Sequence, residues 1–172
     1  MSNERDNDLD DQAERLKAAL RRLPGPVSLV TAFDVANAPA GMVASAVIPV
    51  SMEPPSMLVS VNRSASMHSI IIGAGTFCIN LLGIDQRAFV NAFSSHSLRD
   101  KRFDTGEWQY DASAPYLPDA CASIFCKLRD TKLFGTHELF IGEVSRVIGT
   151  DDTTNAPLGW MEGDFARFGS LD

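Results

Sequence analysis

Arg63, Ser64 and Ser66 stand close together at the end of an apolar run, offering one guanidinium and two hydroxyls. That set suits an anionic group, because charge-assisted donors hold phosphate or carboxylate oxygens best. A helix beginning at Ser66 would add its N-terminal amides to the same clamp. Upstream, Gly41, Ala44, Ser45 and Ala46 leave little bulk on the backbone, so a flat ligand could lie close against it. The whole segment GMVASAVIPVSMEPPSMLVSVNRSAS (41–66) therefore describes a seat for a flat ring with an anionic tail, which a flavin nucleotide fits. A tightly packed hairpin explains 41–61 about equally well, and a hydroxyl-stabilised turn with a surface arginine explains 61–66.

Two further clusters carry chemical potential. Arg99-Asp100-Lys101-Arg102-Phe103 places three cations near one another, enough to neutralise a phosphate. Such runs are more often solvated loops; here Phe93 and Phe103 bracket the run, so part of it should dock. His137 follows Gly135-Thr136 at the start of an apolar run. An imidazole there could hydrogen-bond a cofactor amide or donate a proton near neutral pH, although a lone histidine is more often structural. His68, His96 and His137 lack metal-ligand spacing, and Cys78, Cys121 and Cys126 form no C-x-x-C pair, so buried thiols and no metal are expected. Neither a G-x-G-x-x-G turn nor a G-x-S-x-G elbow is present.

These groups need elements to hold them. Leu9, Ala13, Leu16, Ala19, Leu20 and Leu23 mark a helix that Pro24-Gly25-Pro26 stops. Strands are expected at 27–33, 42–50, 57–61, 76–82, 121–129 and 137–150, with a last one within 158–168. Glu53-Pro54-Pro55 forces a turn. Ser66 should cap a short helix, and Asp85 another running to Phe93. Residues 94–120 read as loop. No βαβ alternation repeats, so the expectation is a mainly β fold with peripheral helices, an antiparallel barrel rather than a doubly wound sheet.

The 172 residues suit one domain, with a disordered tail at 1–8 and the folded part over 9–172. The net charge of −7 argues against nucleic acid but leaves room for a local basic pocket. No apolar run reaches the roughly 20 residues needed to cross a bilayer, so no membrane association is expected. The polar, acidic opening MSNERDNDLDDQAERLK is unlike a signal peptide, and a cytoplasmic location is expected.

PVSLVTA, the 41–66 block, FCINLL, FVNAFSS, KRFD and GTHELFIGEV follow one another in the order and spacing of a known family. From about Leu20 to Phe168 the chain resembles the short-chain flavin reductases. It is similar to the reductase components of two-component flavin-dependent monooxygenases. The resemblance implies an FMN-binding split β-barrel and a homodimer with each flavin near the subunit interface. It implies hydride transfer from NADH or NADPH to FMN or FAD, with reduced flavin passed to a partner oxygenase. It places the ring against Met42, Val43, Ala44, Ser45 and Ala46, and the phosphate at Asn62, Arg63, Ser64 and Ser66. Lys101, Arg102 and Phe103 would be a second phosphate or adenylate contact, and His137 would lie on the nicotinamide side. Where the family commonly has threonine this chain has Val43, and Pro49 replaces a small hydroxyl residue. The alternatives are a non-catalytic flavin carrier, or a flavin-dependent reductase of a corrinoid or ferric iron.

Overall fold

The structure is a computed structural model that describes residues 2–149 and 155–169, with the side chains of residues 2–8 outside the description. Helix α1 (Ser2–Leu20) opens the chain, its backbone helical through the segment expected as a disordered tail. The leucine pattern does form a helix, but Leu9, Leu16, Leu20 and Leu23 are all exposed. A two-residue strand β1 (Gly25–Pro26) follows.

Most of the remaining chain builds one antiparallel sheet. Its members are β2 (Ser28–Phe33), β3 (Pro39–Ala44), β4 (Val47–Met52), β5 (Pro55–Asn62), β6 (Thr76–Leu81), β9 (Ala122–Phe134) and β10 (His137–Gly149). Their spatial order is β3-β2-β6-β9-β10-β5-β4. The run 42–50, expected as one strand, is therefore two, and they lie at opposite edges of the sheet. Laid flat, six inter-strand spacings would separate those edges by about 29 Å. Ser45 and Ala46 alone join them, and so short a link spans at most roughly 11 Å. The sheet must therefore curl until its two edges approach at residues 44–47. No pairing between β3 and β4 closes the seam, so the barrel is split along one side.

Bulges make the curl possible. Register shifts between Ile141 and Gly142, and between Val144 and Arg146, bend the long β9–β10 ribbon. A Cβ at Gly142 would come 2.6 Å from Phe77 Cζ and 2.7 Å from Cys126 Cβ, so only glycine fits this bend. A third shift follows Pro49 on edge strand β4, where a residue without an N–H is tolerated.

Helix α2 (Ser66–Ala74) covers the barrel interior, burying Met67 and Ile71 against Val30, Val59, Val61, Phe77 and Phe140. Ala65 rather than Ser66 is its cap, and no side chain bonds the helix start. A second core lies on the other face of β2, where Leu29, Phe93, Trp108 and Leu117 pack. Phe93 comes from α3 (Ala88–Ser94), and Asp85 sits inside a 3₁₀ turn before it rather than capping it. The region 94–120 carries the two-residue strands β7 (Gln109–Tyr110) and β8 (Pro115–Tyr116). The last expected strand is a hairpin, β11 (Leu158–Met161) and β12 (Asp164–Arg167), which pairs with β1.

One buried amide ties these parts together. Asn80 Nδ2 donates to Leu29 O and Thr31 Oγ1, both at 3.2 Å. Its Oδ1 accepts from Leu117 N at 2.9 Å and Ser123 Oγ at 3.0 Å. Fully buried polar groups must be paired in this way, and the pairing fixes the 115–123 segment on the sheet. Among the described residues, no helix is long and apolar enough to cross a membrane.

Candidate functional site

The alternation of β3 decides what its side chains can do. Met42 and Ala44 turn inward and pack with the barrel core, whereas Val43 faces the second core. Met42 and Ala44 thus leave only backbone to a ligand. Ser45 and Ala46, on the link between edges, are exposed. Val43 and Ser45 line a cleft of about 210 Å³ with Val27, Val90, Ser94, Trp160 and Phe165. Trp160 also walls a neighbouring concavity of about 470 Å³ that includes Ser45, Ala46 and Val47. The Trp160 and Phe165 rings meet edge to face, 5.3 Å apart. Sequence reading missed these two aromatics. Their signal was the Glu162-Gly163 turn between Trp160 and Phe165, with Gly163 at φ +86°. Gly41, singled out for ligand approach, has another reason to be bare: a Cβ there would lie 2.6 Å from Phe93 Cε1.

The clamp residues form a compact turn between β5 and α2. Asn62 Oδ1 accepts from Ser64 N at 2.9 Å and from Ser64 Oγ at 2.8 Å, so the side chains of Asn62 and Ser64 first shape the turn. Arg63 N donates to Thr136 O at 3.0 Å, while its side chain is exposed. Pairing of β5 with β10 sets Asn62 opposite His137, whose Nδ1 lies 2.9 Å from Thr136 Oγ1. Ala46 O accepts from Ser60 N at 3.1 Å, two positions before Asn62. The link 45–46, the turn 62–64 and His137 therefore share one rim of the barrel.

The cationic loop is divided. Ser66, Arg99, Arg102 and Phe103 line a separate cavity of about 480 Å³, beside Gly41, Ile70 and Tyr110. Lys101, exposed in a 3₁₀ turn, is not among its lining residues. Arg102 is largely committed to the fold. Its Nη1 donates to Gly41 O at 2.8 Å, Nε to Ala92 O at 3.2 Å and Nη2 to Ser95 O at 3.3 Å. Phe103 packs with Phe93 and Trp108 at 5.3 and 4.7 Å, so the loop does dock.

The thiols are held protonated. Burial pushes Cys126 up to about 12 and raises Cys78 as well, which leaves neither as a nucleophile.

The rim combines surfaces that a flat aromatic ligand with an anionic tail would need. The link at Ser45 and Ala46 gives bare, exposed backbone, the Trp160–Phe165 wall gives apolar surface, and Arg63 gives an exposed cation, while Ser66 opens on the separate cavity. The chain is 34% identical over 154 residues to an NADH:riboflavin 5'-phosphate oxidoreductase of Streptomyces pristinaespiralis, covering 88% of this chain and 86% of that protein. It is 38% identical over 133 residues to the reductase component of an FADH(2)-dependent resorcinol hydroxylase from a Rhizobium species, covering 76% and 74%. Among solved structures, the NADH:FAD oxidoreductase of Streptomyces globisporus in complex with NAD and FAD fragments superposes with a TM-score of 0.83. It is 27% identical and covers 92% of this chain and 94% of that one. Residues 20–169 match the model of the flavin reductase like domain, and the chain belongs to that family.

Proposed function

We propose that this protein is an NAD(P)H:flavin oxidoreductase that transfers a hydride from NADH or NADPH to FMN or FAD. The observation that carries the reading is the shared rim, where the 45–46 link bordering the cleft at Val43, Ser45, Trp160 and Phe165 is hydrogen-bonded to β5 two positions before Asn62, itself opposite His137. When bound, the flavin supplies the hydride-accepting chemistry, which no side chain can provide. The protein binds and orients. Backbone at 42–46 receives the ring, Trp160 and Phe165 exclude water from one side, and Arg63, Ser64 and Ser66 hold the phosphate. Val43, in place of a hydroxyl residue, makes the ring cleft more apolar. His137, exposed beside Asn62, is positioned to meet a second nucleotide entering over the rim.

Arg102 and Phe103, with Lys101 outside the cavity they line, remain the proposed second contact, for a phosphate or an adenylate. Because Arg102 already serves three carbonyls, Arg99 is the better-placed cation of that cavity.

The working form is a homodimer. Ile48, Val50 and Met52 on edge strand β4, and the leucine face of α1, are apolar and uncovered, and surfaces of this kind mark interaction sites. Light scattering on the purified protein tests this; a monomer at micromolar concentration overturns it. The acceptor is a partner oxygenase in the cytoplasm, in keeping with relatives named as reductase components.

Mixing protein, flavin and nicotinamide and following the reduced-nicotinamide absorbance band tests the activity. Flavin-dependent oxidation of NADH or NADPH is expected. Tight flavin retention without turnover would establish a carrier instead, and turnover only with a corrinoid or ferric iron would establish another acceptor.

A further inference from the structure

His68 is half-buried in the first turn of α2 and reaches across to β10. Its Nε2 lies 2.7 Å from Glu138 Oε2, both side chains being 16% exposed. Edge-on packing against Phe140, at 5.5 Å between ring centroids, fixes the imidazole. Glu138 is the neighbour of His137 and stands opposite Val61 of β5. The Thr131 hydroxyl, the His68 hydrogen bond and the charges of His68 and Arg63 hold its carboxyl below the ordinary glutamate value. Glu138 is therefore ionised and within the field of Arg63. Yet among the described residues Arg63 makes no ion pair, whereas His68 does.

We propose that His68 is a positioning residue that holds the Glu138 carboxylate and so leaves the Arg63 guanidinium available to the anionic tail of the flavin. The inference rests on the flavin reading above. Two partners compete for one carboxylate. With the imidazole N–H donating to it, Glu138 is anchored toward α2. Without that donor, Arg63, two positions beyond the Val61 that pairs with Glu138, is a cation whose field reaches the carboxylate, and an arginine–carboxylate fork would withdraw it from the clamp. The cost would fall only on ligands with a phosphate.

Binding of FMN and of riboflavin, which lacks the phosphate, separates this role from a merely structural one. The wild-type protein should bind FMN more tightly than riboflavin. His68→Leu fills the space without a donor and should weaken FMN about tenfold or more, the scale of one charge-assisted hydrogen bond, with riboflavin unchanged. His68→Gln retains a donor and should stay near wild type. Adding Glu138→Gln to His68→Leu removes the competing charge and should restore FMN binding. Parallel loss of both ligands, an unchanged FMN-to-riboflavin ratio, or failure of the double variant to recover would each overturn the inference while leaving the flavin reading intact. Equal wild-type affinity for the two ligands would remove the phosphate clamp and this inference together. Wild-type binding of neither would remove the proposed function itself.

Discussion

Replacing Arg102 by lysine keeps the charge and nearly the length, yet should cost substantial stability. The guanidinium joins three backbone carbonyls, Gly41 O on β3 and Ala92 O and Ser95 O around the end of α3. Carbonyls at a helix C-terminus have no intrahelical donor, so these contacts satisfy groups the helix leaves open. The plane also lies 5.7 Å from the Phe93 ring centroid. An ammonium can serve one of the three acceptors and lacks the fixed fork. Two charge-assisted bonds would be lost, each worth about 1.5–3 kcal/mol when well formed. Two of the three are long, at 3.2 and 3.3 Å, and the site is half-exposed, so a discounted total of about 2 kcal/mol is expected. For a chain of this size that corresponds to a fall of roughly 4–8 °C in melting temperature. Thermal and urea unfolding of Arg102→Lys, with flavin absent, measures it. A melting temperature within a degree of wild type would refute the view that Arg102 staples α3 and its loop to β3.

Four other outcomes are expected. Gly142→Ala pushes a methyl into Phe77 and Cys126, and should destabilise by about 1–3 kcal/mol in urea. Asn80→Ala strands the Leu117 N–H in the core, removes a donor from Leu29 O and Thr31 Oγ1, and should cost about 3 kcal/mol or more, read by the same method. Trp160→Ala should weaken riboflavin and FMN alike, by roughly tenfold, because it removes ring-facing surface only; titration by flavin fluorescence checks this. Ser113 and Arg146 hold the Asp111 carboxyl below its ordinary value. Its stabilising contribution is thus present above the ordinary aspartate range and lost as pH falls through the depressed value. Asp111→Asn should flatten the acid limb of melting temperature against pH.

The strands at 27–33, 57–61, 76–82, 121–129 and 137–150 were legible because β-branched and aromatic residues dominate them. The division of 42–50 was not. MVASAVIPV contains no glycine or asparagine at the break, since the Ser45–Ala46 link needs no left-handed conformation. What breaks the run is closure of the whole sheet, which no local window contains. The same holds for the site. Arg63, Ser64 and Ser66 were visible by type, but the neighbourhood of Asn62 and His137 depends on β5–β10 register. Trp160 reaches Ser45 only because β11 pairs with β1. Arg102 stood out as a cation, although its geometry makes it chiefly a structural donor.

The two-residue link between β3 and β4 has a further consequence for how this chain can change length. Along β4 the faces alternate, with Val47 buried and Ile48 exposed. Inserting or deleting one residue at 45–46 would shift β4 by half a pleat and exchange those faces. Adding two would restore the phase but loosen the seam and the ring-facing backbone with it. Length variation is therefore tolerable in exposed turns such as 35–37 and closed off at this short link.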